Sequence, residues 1–261
     1  MTGLVATLGS GAMTNPIPDL ANSKCILIIG SNFAENHPIA SRWVLDAKES
    51  GAKVIVADPR YTPTAWIADI FLQLRPGTDI ALLNGMIHTI IKEKLYDKDF
   101  VKKRTTGFDQ IQTLAAEYDP DKVEKITGVP SQLVQEAARL YAKADSAAIV
   151  YCMGITQHAC GHGNVVSCAN LALICGNVGR PGTGVLPLRG QDNVQGACDM
   201  GALATVLPGY TSVTDEIGRQ RIGGLWGKED LSSKPGLTVV EMMNAAAETI
   251  EFRKLLHLGD Y

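Results

Sequence analysis

Lys24-Cys25-Ile26-Leu27-Ile28-Ile29-Gly30 is a continuous apolar run of strand length, far short of a membrane span. A run without alternation that closes on glycine is expected of a strand buried on both faces, and so of a parallel sheet covered by helices. Working outward, residues 37–50 carry Ile39, Trp43, Val44 and Ala47 at helical spacing, and Gly51 stops the helix. Lys53 to Ala57 (KVIVA) is a second, β-branched strand that ends in Asp58-Pro59-Arg60. Two strands joined by a helix imply a right-handed parallel crossover.

The alternation continues. Residues 70–74 (IFLQL) are a predicted third strand, and residues 79–95 a helix with Leu82, Leu83, Met86, Ile87, Ile90 and Ile91 on its apolar side. Residues 97–104 and 108–118 read as shorter helices, and Ser131 as the N-cap of another running towards Lys143. Residues 147–153 (AAIVYCM) return to strand, and residues 163–175 form an apolar helix ending at Gly176. This pattern predicts an α/β domain with a doubly wound, mostly parallel sheet. Residues 176–201 read as a long glycine-rich loop, a feature uncommon in compact domains unless it has a job. Past Gly209 the patterning is weak, apart from one amphipathic helix near residues 239–248.

With 261 residues the chain has room for one large domain or two modest ones. A net charge of −3 with scattered Lys and Arg argues against nucleic-acid or anionic-membrane partners. The N-terminal stretch has no basic segment followed by a long apolar one, so the chain reads as cytoplasmic with no membrane span. The six cysteines form no CxxC pair, and Cys160, Cys168 and Cys175 are spaced too loosely for a zinc ribbon or an iron–sulfur cradle. They read as buried reduced thiols, and no metal site is predicted within the chain.

In an open parallel sheet, ligands bind beyond the carboxyl ends of the strands. Gly30-Ser31-Asn32 follows the first strand, where glycine permits close approach and a following helix offers free N–H groups to a phosphate. It is not GxGxxG, and many strands end on glycine simply to turn. Asp58 could accept hydrogen bonds from a ribose or a guanine edge and Arg60 could pair with a phosphate; taken by itself, the tripeptide is better explained by an Asp helix cap with a surface Arg. Tyr151-Cys152-Met153-Gly154, leading to Gln157, and Arg75-Pro76-Gly77-Thr78-Asp79 carry the same double reading. The segment from Pro187 to Gly201 differs. Its Arg189, Gln191, Asp192, Asn193, Gln195 and Asp199 sit among glycines where an exposed connector would use Ser, Lys and Glu, which points to ligand contact.

At this segment the chain resembles a known family. PLRGQDNVQGACDMGA, from Pro187, closely resembles the PLRGQNNVQGACDMGA signature of formate dehydrogenase catalytic subunits, which are molybdopterin oxidoreductases with a bis(molybdopterin guanine dinucleotide) cofactor. GSNFAENHPI, VIVADPR, PGTDIALLNGM, ITGVP, AARLYAKADSAAIVYCMGITQH and CGNVGRPGTGV extend the likeness along almost the whole chain. The resemblance implies oxidation of formate to CO2 at Mo or W, with electrons passed through iron–sulfur centres to an F420-, NAD- or ferredoxin-linked β subunit. It casts Arg189 as the active-site arginine and Gln191 as a neighbour of the pterin. Gly30, Asn32, Asp58, Arg60, Gly77, Asp79, Met153 and Gln157 fall where the family contacts the guanine dinucleotides; His37 matches its His-Pro.

Departures from the family pattern set a limit. The cysteine or selenocysteine that ligates the metal stands, in the family, just before the segment that starts here at Thr2, and the four-cysteine 4Fe-4S domain precedes that. Near residues 258–261 the family continues through Gly-acid-Asn-Pro. The chain is therefore expected to be an internal fragment, inactive alone. Residues 1–190 would be the dinucleotide-binding α/β domain and residues 191–261 part of a neighbouring, truncated domain. A piece of another molybdopterin enzyme such as formylmethanofuran dehydrogenase, and a non-catalytic nucleotide-binding module, are the alternatives.

Overall fold

The computed structural model describes residues 2–191 and 193–255; Asp192 of the polar loop and residues 258–261, where the family pattern is expected to break off, lie outside them. Contacts divide the chain into two compact units, Met1–Gly190 and Gln191–Tyr261.

In the first unit, β1 (Cys25–Ile29), β2 (Lys53–Ala57), β3 (Ile70–Leu72), β4 (Ala147–Tyr151) and β5 (Gly184–Pro187) form one parallel sheet in the order β3-β2-β1-β4-β5. β1 is central, with Leu27 opposite Ile55 on one side and Ile149 on the other. After β1 the chain builds outward through β2 to β3; it then returns to the other side of β1 for β4 and β5. The strand order thus reverses between β1 and β4. The helices are α1 (Thr2–Leu8), α2 (Phe33–Asn36), α3 (Pro38–Glu49), α4 (Asp79–Lys92), α5 (Lys98–Arg104), α6 (Phe108–Ala116), α7 (Pro120–Thr127), α8 (Ser131–Lys143), α9 (Met153–Thr156) and α10 (Gly161–Ile174).

Period-two alternation sends each strand's side chains to both faces, and both are buried. Cys25, Leu27, Ile29, Ile55, Ile149 and Tyr151 pack with Leu83, Ile87, Ala138 and Ala169 from α4, α8 and α10. Ile26, Ile28, Val54, Val56, Ala148 and Val150 pack with Val44, Ala47 and Phe33 from α3 and α2. This double burial is why β1 reads as an unbroken apolar run.

Several details depart from the sequence reading. The supposed loop of residues 176–201 contains β5 and, at its far end, α11 (Val194–Asp199). The third and fourth strands are shorter than predicted, and Met153 opens α9 instead of ending β4. Ser131 does not cap α8: Pro130 is the cap, Ser131 begins the helix, and its N–H donates to Glu124 Oε2 at 2.8 Å. Ile39 does not face the core; it is 85% exposed, and Val44 and Ala47 anchor α3. Cys25, Cys152, Cys168, Cys175 and Cys198 are buried thiols, with burial pushing Cys25 up to about 12, but Cys160 is exposed.

The second unit holds α11, a two-stranded antiparallel ribbon of β6 (Val206–Leu207) and β7 (Thr211–Ser212), α12 (Glu216–Trp226) and α13 (Val239–Leu255). Asn193 caps α11 by accepting the Gly196 N–H at 3.2 Å. The expected amphipathic helix has no covered side: residues 239–248 are exposed throughout, Val239 at 70% and Met243 at 65%.

Candidate functional site

The loops leaving the carboxyl ends of all five strands converge on one cavity of about 470 Å³. Its walls are Gly30, Ser31, Asn32, Asn36 and His37 after β1, Asp58, Pro59 and Arg60 after β2, Pro76, Gly77 and Asp79 after β3, Cys152, Met153, Gly154 and His158 after β4, and Gly190 after β5. It lies where the strand order reverses, the place at which open α/β sheets accept ligands.

Two glycines make its floor. Gly30 has φ +57°, and a Cβ there would lie 2.5 Å from the Ile155 nitrogen. A Cβ on Gly154 would overlap the Gly30 carbonyl oxygen. The β1 and β4 loops therefore touch backbone to backbone, which only residues lacking Cβ permit.

Asn32 is held by its own neighbours: its Oδ1 accepts from Thr64 Oγ1 at 3.1 Å, and its Nδ2 donates to Glu35. Asp58 is not a helix cap. Its Oδ1 accepts the Arg60 N–H at 2.8 Å, a local turn that aims the chain past the cavity. Asp79, the first residue of α4, is 5% exposed. Burial raises its carboxyl above the ordinary range; its own backbone N–H and the His158 charge oppose this, and the Asp58 charge adds to it. Two carboxylates and Arg60 thus share one wall, an acceptor pair beside a cation.

Arg189 follows β5 and is half-buried. Leu188 N–H donates to the Tyr151 carbonyl at 2.8 Å, and Cys152 Sγ donates to the Leu188 carbonyl at 3.4 Å, so the segment is tied to the end of β4. His37 Nε2 lies 2.6 Å from the Arg189 carbonyl oxygen, and Arg189 Nη2 donates to the Gly11 carbonyl at 3.3 Å. Ser31 Oγ and His37 Nδ1 are buried without a hydrogen-bond partner.

Seven of the nine sequence-predicted cofactor residues, Gly30, Asn32, Asp58, Arg60, Gly77, Asp79 and Met153, line this cavity. Gln157 does not; it is exposed and ends α9, donating its backbone N–H to the Met153 carbonyl at 2.9 Å. Gln191 belongs to the second unit. Sequence reasoning passed over Ser31 and His158. Ser31 was signalled by its place after the strand; His158 lies four residues past Gly154, its Nε2 2.8 Å from the Gly154 carbonyl, and nothing in its local pattern marks it. Among the described residues no group of three or more His, Cys, Asp or Glu is arranged to hold a metal ion, and no helix is long and apolar enough to cross a membrane.

The family model for the molybdopterin oxidoreductases matches residues 5–257. The alpha subunit of an F420-dependent formate dehydrogenase from Methanococcus maripaludis is 50% identical over 96% of this chain and 37% of that relative. Formate dehydrogenase H of Escherichia coli is 47% identical over 95% of this chain and 34% of its own length. Among solved structures, acetylene hydratase from Pelobacter acetylenicus superposes with a TM-score of 0.64 at 34% identity, covering 71% of this chain and 25% of that one. The chain thus spans little more than a third of the curated relatives it matches. With its parallel sheet, its cavity at the strand-order reversal and this match over nearly its full length, the chain belongs to the molybdopterin oxidoreductases, a family defined by a molybdopterin cofactor.

Proposed function

We propose that this chain is the cofactor-binding segment of a formate dehydrogenase catalytic subunit, which converts formate to CO2, one proton and two electrons. The observation that carries this reading is the 50% identity to the F420-dependent enzyme's alpha subunit across 96% of the chain.

The residues present fit a bis(molybdopterin guanine dinucleotide). Ser31 Oγ and His37 Nδ1 are buried beside the cavity without partners, and such orphaned groups cost about 1–3 kcal/mol each until something bonds them. Asp58 and Asp79 offer acceptors of the kind a guanine edge or ribose hydroxyls require, and Arg60 with the loop N–H groups suits a diphosphate. In this reading Gly30, Asn32, Asp58, Arg60, Gly77, Asp79, Met153 and Gln157 hold the dinucleotide and Gln191 contacts the pterin. The first unit is the dinucleotide-binding domain and the second is part of its neighbour.

When bound, the cofactor supplies molybdenum or tungsten as the two-electron acceptor. Arg189 presents a fixed cation to the formate carboxylate, orienting the C–H bond and offsetting charge as the bond breaks. In the full-length subunit, iron–sulfur centres would supply the route for electrons to a cytoplasmic β subunit; the relatives' dependence on F420 favours that acceptor.

The test uses the full-length subunit, purified without oxygen. Formate should drive dye reduction, and acid release should yield two guanine nucleotides per Mo or W. Arg189→Ala should lower kcat/KM by about 100–1000-fold with metal content unchanged. A metal-replete subunit that does not oxidise formate overturns the reading.

A further inference from the structure

We propose that His37 is a positioning residue for Arg189: a rigid strut that carries the main chain at Arg189 and Gly190 across the end of β4. The proposal deepens the reading above, resting on Arg189 as the residue that binds formate.

Three observations make His37 a strut. Its partner is a carbonyl, which can only accept, so Nε2 carries the proton and donates across 2.6 Å. Its backbone is held from both sides. The His37 N–H donates to the Phe33 carbonyl at 2.9 Å, and the His37 carbonyl accepts from the Ser41 N–H at 3.0 Å and Ser41 Oγ at 3.2 Å. Pro38 occupies the next position and fixes the entry into α3. Finally, the ring lies nearly parallel to that of Phe33, with centroids 6.2 Å apart, and Phe33 is fully buried.

The geometry shows why a strut is needed there. β1 and β5 are separated in the sheet by β4, so nothing in the strand ladder joins the β1 loop to Arg189. Leu188 is tied to β4 through Tyr151 and Cys152, but one residue later the chain leaves the sheet. There the His37 bond fixes the Arg189 carbonyl, immediately before Gly190 at the cavity wall. Gly190 has open space where a Cβ would be, so its neighbours do not confine it sterically. The imidazole thus sets the peptide from which the guanidinium departs, and the Gly11 carbonyl accepts from its Nη2 at 3.3 Å. A displacement of 1 Å in such a group is enough to cost on the order of 100-fold in rate.

Two variants separate the strut from a general structural role. His37→Phe keeps a ring against Phe33 and removes the donor; His37→Gln returns an N–H near the Nε2 position. In the 261-residue chain, the Arg189 carbonyl-carbon resonance should lose its hydrogen-bonded shift in His37→Phe, with the β1 and β4 resonances unchanged and the shift recovered in His37→Gln. In the full-length enzyme, His37→Phe should lower kcat/KM for formate, expressed per bound metal, by about 10–100-fold, mostly through KM. The same change in an Arg189→Ala background should add no further loss, because the strut acts through Arg189. An unaltered Arg189 carbonyl resonance, changes spread through β1 and β4, or additive losses in the double variant would each overturn the proposal. If the carbonyl resonance responds as expected while the metal-replete wild type fails to oxidise formate, the strut stands and the formate reading falls.

Discussion

Asp79 shows how a binding wall can be held ready at a cost to the fold. Its carboxyl is buried at the start of α4, with a second carboxylate, Asp58, close enough to raise its pKa further. The folded state therefore holds the Asp79 proton more tightly than the unfolded state does. Its contribution is most favourable below the ordinary carboxylate pKa and is lost as pH rises through the higher folded value. Asp79→Asn should accordingly raise the Tm of the ligand-free chain at pH 7, with the gain vanishing near pH 3. The same variant loses a charged acceptor, and guanine-nucleotide binding should weaken by about 10–100-fold. Calorimetric scans between pH 3 and 8 and a nucleotide titration check both halves. At this scale the sequence was readable where a polar residue stood directly after a strand, as with Asp58, or opened the next helix, as with Asp79. It was mute for His158, which reaches the cavity only through the fold of the β4 loop.

Between elements, the contact of the β1 and β4 loops decides whether the cavity exists. Because a Cβ on Gly154 overlaps the Gly30 carbonyl, relief requires the two strand ends to part. Gly154→Ala should cost about 1–3 kcal/mol and abolish retention of the cofactor in the full-length protein. Denaturant melts and metal analysis measure the two effects, and a variant with wild-type stability would show that the loops can yield. The central strands were legible because burial on both faces leaves a run with no polar interruption, as in Cys25–Ile29. β5 was not. It spans four residues, opens on Gly184 at φ +119° and closes on Pro187 at the sheet edge, so glycine and proline marked as loop what pairing with β4 makes a strand. Ser131 misled for a related reason: the capping residue type was present, but Pro130 already fixed the turn into α8.

For the molecule as a whole, the two units differ in how much of themselves they bury. The first carries two large apolar clusters, one on each face of the sheet. In the second, Ile217 is 80% exposed, Leu225 78% and Val240 69%. Under limited trypsin digestion, cleavage at Arg219, Arg221, Lys228 and Lys234 should precede any cut before Gly190, leaving a resistant fragment that still unfolds cooperatively. Mass spectrometry of the time course decides it, and early cuts within the first unit would contradict it. The fold of the first unit was visible from sequence because strand and helix periods alternate through it. The organisation after Gln191 was not, since β6 and β7 have two residues each and no period to read.

The uneven burial of the cysteines gives the chain a chemical handle. Five thiols are shut inside, while Cys160 is exposed two residues beyond His158 at the cavity wall. A maleimide dye applied to the native protein should attach at Cys160 alone, and unfolding should open the remaining sites to the reagent. Placed there, the fluorophore becomes an optical gauge of occupancy, its emission changing as a nucleotide enters, so that cofactor loading can be followed in real time without any assay of turnover.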